Sequence, residues 1–158
     1  MDGLALARVV HVIGVVLWIG GVAMVTTVLL PTLRKMDQDE NPIALFERFE
    51  AAFSRQAKVV TVLTGLSGFY MLEKMDAWGR YQSLDYWWLH AMTLVWVLFT
   101  VVLFLLEPLV LHRWFLENGE RRPAATLRVA QGFHILLLAL SLVAIAGAVA
   151  GSHGWFFF

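Results

Sequence analysis

The run from Val9 to Leu30 carries only His11, Thr26 and Thr27 as clearly polar side chains. It is long enough to cross a bilayer as one helix, which takes about 20 apolar residues. At helical spacing His11, Gly14, Trp18 and Gly21 fall on one face. That face carries a metal-binding imidazole near one end and two positions without side chains below it. A flat, bulky group such as a haem needs a ligand nitrogen and nearby helix surface with little side chain, and this stretch offers both. Glycines in a membrane helix equally serve close helix packing, and a histidine near a helix end sits readily at headgroup level. Both readings stand at this point.

The rest of the chain extends the membrane reading. Its 158 residues are 59% hydrophobic with a mean hydropathy of +0.71, against about 45–50% apolar in soluble domains. There is no cysteine, which excludes disulfides, zinc–thiolate sites, iron–sulfur clusters and cysteine nucleophiles. Net charge is zero, and no basic cluster points to nucleic acid. Met1 to Leu6 lacks a basic n-region, and the first apolar run is too long for a signal-peptide core and has no small-residue cleavage site. That run is expected to persist as a membrane helix.

Four apolar segments stand out, at about 4–33, 53–75, 86–111 and 129–151. The fold expected is all-α and integral to the membrane: a single domain, 1–158, built as a four-transmembrane-helix bundle. Between the first two segments Asn41-Pro42 reads as a helix start, with Ile43, Leu45, Phe46 and Phe49 forming a short surface helix. Lys58 is placed to snorkel at the start of the second span. Arg34, Lys35, Arg48, Arg55 and Lys58 follow the first span, and Arg113, Arg121, Arg122 and Arg128 follow the third. The N-terminus has only Arg8, and the middle loop Lys74 and Arg80. The positive-inside rule therefore puts both termini outside. Trp78, Trp87, Trp88 and Trp155 then belong to an outer aromatic belt, with Trp114 at the inner face.

Depth follows from the rise of 1.5 Å per residue. His11 and His90 each lie a few residues inside the outer edge of their spans, on different helices. Two imidazoles facing across a bundle core are a usual way to hold a low-spin haem, so His11 and His90 are the candidate iron ligands. His153, at the end of the fourth span, reads as an interface residue.

A second polar set, Glu107 and His134, lies toward the inner face, with His112 and Arg55 at the rim. An intramembrane carboxylate is costly unless paired or wet. Glu107 and His134 share a depth, which suits a pair, a proton carrier or the lining of a quinone site, with Arg55 beside it. Equally, Glu107 reaches the inner headgroups near Arg113 or Arg128. A second haem on His112 or His134 is a further option. Gly65 and Gly68, with Thr61, Thr64 and Ser67 nearby, read as close helix packing in the second span.

His11 with Trp18-Ile19-Gly20-Gly21 resembles the first-helix motif of CopD-type copper-resistance membrane proteins. It is also similar to that of the related HemJ-type protoporphyrinogen oxidases. Phe53-Ser54-Arg55 leading into Thr64-Gly65-Leu66-Ser67-Gly68 resembles the next helix of both groups, and Trp88-Leu89-His90 the HemJ-type third helix. The resemblance covers most of the four-helix core through short motifs. It implies a four-helix protein of a bacterial inner membrane that binds haem b, oxidises a porphyrinogen and passes electrons to a quinone or the respiratory chain. One departure bears on the substrate: the HemJ-type pattern has a lysine two residues after the third-helix histidine, and here Met92 stands there.

Three functions follow as expectations. The leading one is a haem b redox protein moving electrons between a quinone or porphyrin-type reductant and a partner, as a homo-oligomer or a subunit of a membrane complex. The second is CopD-like copper handling without haem. Copper favours soft ligands, and Met24, Met71, Met75 and Met92 form no tight Met-x-Met or His-Met cluster. The third is a structural subunit of a respiratory complex.

Overall fold

The computed structural model describes residues 3–37 and 40–155, and every element among them is helical. Four long helices follow one another: α1 Gly3–Leu33, α2 Pro42–Lys74, α3 Leu84–Arg121 and α4 Pro123–Ser152. α1, α3 and α4 are long and apolar enough to cross a membrane. Their outward faces carry large apolar side chains, Val16, Leu94, Leu109 and Val143 among them. A surface this apolar belongs in lipid rather than water, so the chain is a multi-pass membrane protein.

Local signals set the helix ends. Asn41 takes a left-handed conformation (φ 49°), and its side chain accepts from the Ala44 N–H at 3.1 Å, with Pro42 at the first helical position. This cap satisfies an otherwise orphan donor. At the other end of α2, Asp76 (φ 48°) turns the chain. The Ala77 N–H donates to the Leu72 carbonyl at 2.9 Å and the Asp76 N–H to Glu73 at 3.2 Å, the bond pair of a Schellman ending. Gly154 (φ 79°) closes α4 likewise, with Trp155 N–H on the Ala150 carbonyl.

The helices overrun the expected segments at the end of the bundle that carries the basic connections. No breaker separates Phe49 from Phe53, so the expected surface helix and second span are one 33-residue helix. α3 likewise continues past Leu111 to Arg121, and α4 starts at Pro123 rather than near Val129. Two stretches are wound more loosely, with bonds reaching five residues back: Val25–Leu29 and Val102–Leu111. The second contains Pro108, which has no N–H to give and loosens the turn around it.

α1 and α2 run antiparallel in a tight seam. Gly3 faces Tyr70, Gly14 faces Val60 and Thr64, and Gly21 faces Phe53. α2 also runs antiparallel to α3, with Trp96 on Gly65 and Thr61 and, further along, Lys58 on Glu107. α3 and α4 pair through Trp87 on Gly147 and Trp88 on Gly151. α1 and α3 are therefore parallel, and they meet across the core where Trp18 and Phe99 stand edge to face at 4.7 Å. Trp18, Val22, Val60, Val95, Phe99 and Leu137 form the central core, and a second cluster around Leu30, Phe46, Phe115 and Leu127 closes the end that carries the basic connections.

Candidate functional site

His11 is half-buried on α1 and turned toward α2. Its Nδ1–H donates to the Thr64 carbonyl at 2.9 Å, with the Ser67 hydroxyl at 3.3 Å. The ring lies over Gly68, where a Cβ would stand 3.2 Å from His11 Cε1. An imidazole whose Nδ1 carries the proton keeps its lone pair on Nε2, the arrangement typical of a metal-ligating histidine held by an outer partner.

His90 is also half-buried, near the start of α3. Its Nε2–H donates to the Ser83 carbonyl at a long 3.4 Å, and Tyr81 stands edge to face against it at 5.4 Å. The Tyr81 hydroxyl is in turn 2.6 Å from Thr93 Oγ1. The Trp18–Phe99 contact calibrates depth: His11 is seven residues before Trp18, and His90 nine before Phe99. On parallel helices that places them within about 3 Å of one level. Their hydrogen bonds run to different elements, α2 for His11 and the α2–α3 connection for His90.

The glycine face serves a neighbouring helix. A Cβ at Gly14 would lie 2.3 Å from Thr64 Oγ1, and one at Gly21 would lie 2.1 Å from the Phe53 ring. The surface those glycines open is filled by α2, so a macrocycle does not lie on the α1–α2 seam. Trp18 is buried against Phe99. The expected glycine cradle is therefore a helix-packing groove.

The second polar set is arranged differently from the expected pairing by depth. Lys58 Nζ donates to Glu107 at 2.7 Å, with the two side chains 31% and 21% exposed. The His134 Nδ1–H donates to the Ala130 carbonyl on its own helix, and the ring stands edge-on to Phe46. Arg55 and His112 are exposed. Arg113 pairs with Glu117 four residues on, not with Glu107. His153 is exposed at the end of α4, its Nδ1 on the Val149 carbonyl. Glu50, which precedes the second apolar segment, was not singled out from sequence. Burial first, then the nearby Glu107 and Glu47 carboxylates, push its carboxyl up to about 7.

A pocket of about 300 Å³ opens where α2 and α4 begin, lined by Asn41, Pro42, Ile43, Gly119, Glu120 and Pro123. None of the candidate ligands lines it. Among the described residues no three His, Asp or Glu side chains gather as a metal-binding group. No known protein family, curated protein or solved structure matches the chain.

Proposed function

We propose that the chain is a haem b-binding membrane redox protein with four spans and both termini outside. α2 is the fourth span in this reading. It runs antiparallel to α1 from Gly3 against Tyr70 to Gly21 against Phe53, so a bilayer crossed by α1 has α2 at the same depths. Lys58, the charge deepest in α2, is neutralised there by Glu107.

The observation that carries the proposal is the anchored His11 ring. With Nδ1–H fixed on the Thr64 carbonyl, Nε2 is left with its lone pair in an apolar helix face. His90 lies near the same level on a parallel helix and makes the second ligand. The haem would supply one-electron redox chemistry, while the chain supplies ligation, burial and access. His11 would present one ligand nitrogen, the Thr64 carbonyl and Ser67 hydroxyl hold its tautomer, and the Lys58–Glu107 pair would hold exchangeable protons toward the inner face. The resemblance of the first and third helices to HemJ-type proteins supports a porphyrin-type or quinone reductant, and Met92 weighs against the porphyrin.

The test is to purify the protein with His11→Ala, His90→Ala and His153→Ala variants and record haem content and dithionite-reduced minus oxidised spectra. The wild type should show a low-spin b-type spectrum. Either of the first two substitutions should make it high-spin or abolish it, and His153→Ala should leave it. Wild-type spectra in both His11→Ala and His90→Ala would overturn the assignment.

A further inference from the structure

We propose that Gly68 is the positioning residue for His11. Having no side chain, it opens the Thr64 main-chain carbonyl to the imidazole Nδ1–H and so sets which ring nitrogen is left for a ligand. The first observation is a contrast among carbonyls. In an α-helix a side chain leans back over the turn before it, so the residue at i+4 covers the carbonyl of residue i. This chain shows that reach directly. Thr26, Ser67, Thr93, Thr100, Thr126 and Ser141 each donate to the carbonyl four residues back, and His134 does the same on Ala130. The Thr64 and Thr61 carbonyls instead accept from other helices, from His11 of α1 and Trp96 of α3, both at 2.9 Å. Four residues beyond them stand Gly68 and Gly65. A carbonyl has two lone pairs. One serves the helix, and a glycine at i+4 leaves the other uncovered.

The second observation is what a side chain at position 68 would meet. A Cβ there would lie 3.2 Å from His11 Cε1 and 3.5 Å from His11 Nδ1, and nothing else on another helix comes within 4 Å. Gly14 and Gly21 differ, since their places are filled by Thr64, Val60 and Phe53 of the facing helix. Close helix packing therefore accounts for Gly14 and Gly21, whereas the space at Gly68 holds one imidazole. Gly65 serves Trp96 in the same way, for a Cβ there would stand 2.5 Å from the indole nitrogen.

Ser67 completes the arrangement. Its one hydrogen faces the Leu63 and Thr64 carbonyls, at 2.7 and 3.0 Å. Toward His11 Nδ1, 3.3 Å away, it therefore turns a lone pair. Both groups beside Nδ1 accept, so the proton stays on that nitrogen. A side chain at 68 pushes the ring off the carbonyl. An imidazole freed in this way carries its proton on either nitrogen, and Nε2 is then no longer kept open. The consequence for ligation rests on the reading of His11 as an axial ligand, while the positioning itself does not.

The test uses the purified full chain in detergent, reduced with dithionite, and reads two NMR signals of the bond itself: solvent exchange of the His11 Nδ1–H and the Thr64 carbonyl ¹³C shift. Gly68→Ala should speed the exchange about fivefold or more, the worth of one ordinary hydrogen bond, and move the Thr64 carbonyl upfield. Gly68→Ser should do the same by a second route, because its hydroxyl takes the Thr64 carbonyl as the other hydroxyls of this chain take theirs. Gly132→Ala, on α4 with nothing within 4 Å of its Cβ, should leave both signals. Wild-type exchange and an unmoved Thr64 carbonyl in either Gly68 variant overturn the proposal. So does a wild-type Nδ1–H that exchanges as fast as that of Gly68→Ala. Neither signal needs a bound haem, so a colourless wild type leaves them to decide the role of Gly68. Unmoved signals in the Gly68 variants in turn leave the histidine variants and their spectra to decide the ligation.

Discussion

His11 donates its Nδ1–H to the main-chain carbonyl of Thr64, 53 residues away, at 2.9 Å. A carbonyl accepts only, so this bond selects the tautomer and fixes which nitrogen is left for a ligand. Ring ¹⁵N shifts of His11 at pH 7 should therefore report a proton on Nδ1 and none on Nε2. A protonated Nε2 in the isolated protein would remove the basis for treating His11 as an axial ligand.

Gly14 and Thr64 are fitted to each other. A Cβ at Gly14 would lie 2.3 Å from Thr64 Oγ1 but 3.6 Å from Thr64 Cβ. Gly14→Ala should therefore destabilise by about 1–3 kcal/mol, the usual cost of overpacking. Adding Thr64→Ala removes the offending oxygen and leaves an ordinary contact. A double-mutant cycle in detergent should show a favourable coupling of about 1 kcal/mol or more, and strict additivity would contradict the packing account.

Much of the fold was legible in the sequence because helix existence and helix ends depend on local chemistry. Three of the apolar runs form helices long and apolar enough to cross a membrane, and Asn41-Pro42 and the helix ends near Met75 and Gly151 stand where the sequence puts them. The partner of each face was not legible. The one-sided stripe of Gly14 and Gly21 is plain in the sequence, but the occupants, Thr64 and Phe53, come from α2. Depth alone placed Glu107 opposite His134, yet depth leaves rotation about the helix axis undetermined. The loosened winding through Val102–Leu111 around Pro108 turns that axis further, and the carboxylate meets Lys58 instead. Nor does spacing separate Thr61 and Thr64 from Thr93 and Thr100, since only the packed neighbour decides which hydroxyls keep their own carbonyl.

Orientation follows from the basic loops after the first and third segments. Reporter fusions to the C-terminus should be active for a periplasmic enzyme and dark for a cytoplasm-only one. The opposite pattern would move His11 and His90 to the inner side.

Glu50 gives a pH signature. Its carboxyl titrates near 7 in the fold against an ordinary 4.5, chiefly because burial disfavours the charge. The folded state thus holds a proton that the unfolded state has lost, so this group's contribution to stability falls as pH rises from about 4.5 to about 7. Glu50→Gln should raise the thermal midpoint at pH 8 and change it little at pH 4.5. A gain of the same size at both values would show that the effect is not ionisation.

The Lys58–Glu107 pair makes the sharpest test of packing between α2 and α3. Both side chains are half-buried at 31% and 21% exposure and 2.7 Å apart, and their helices cross where α3 is loosened around Pro108. Removing one partner strands a charge in a poorly solvated place, which costs more than losing the pair as a unit. The residual exposure tempers that cost, so Lys58→Met should destabilise by about 1–3 kcal/mol. The double variant Lys58→Met, Glu107→Gln should recover most of the loss, because no unpaired charge remains. The swap Lys58→Glu, Glu107→Lys should recover part of it, since the pair is kept but the longer stem comes from the other helix. Thermal unfolding in one detergent, with all four proteins at the same pH, reads these differences directly. A double variant less stable than Lys58→Met alone would mean that the two residues do not act as a pair.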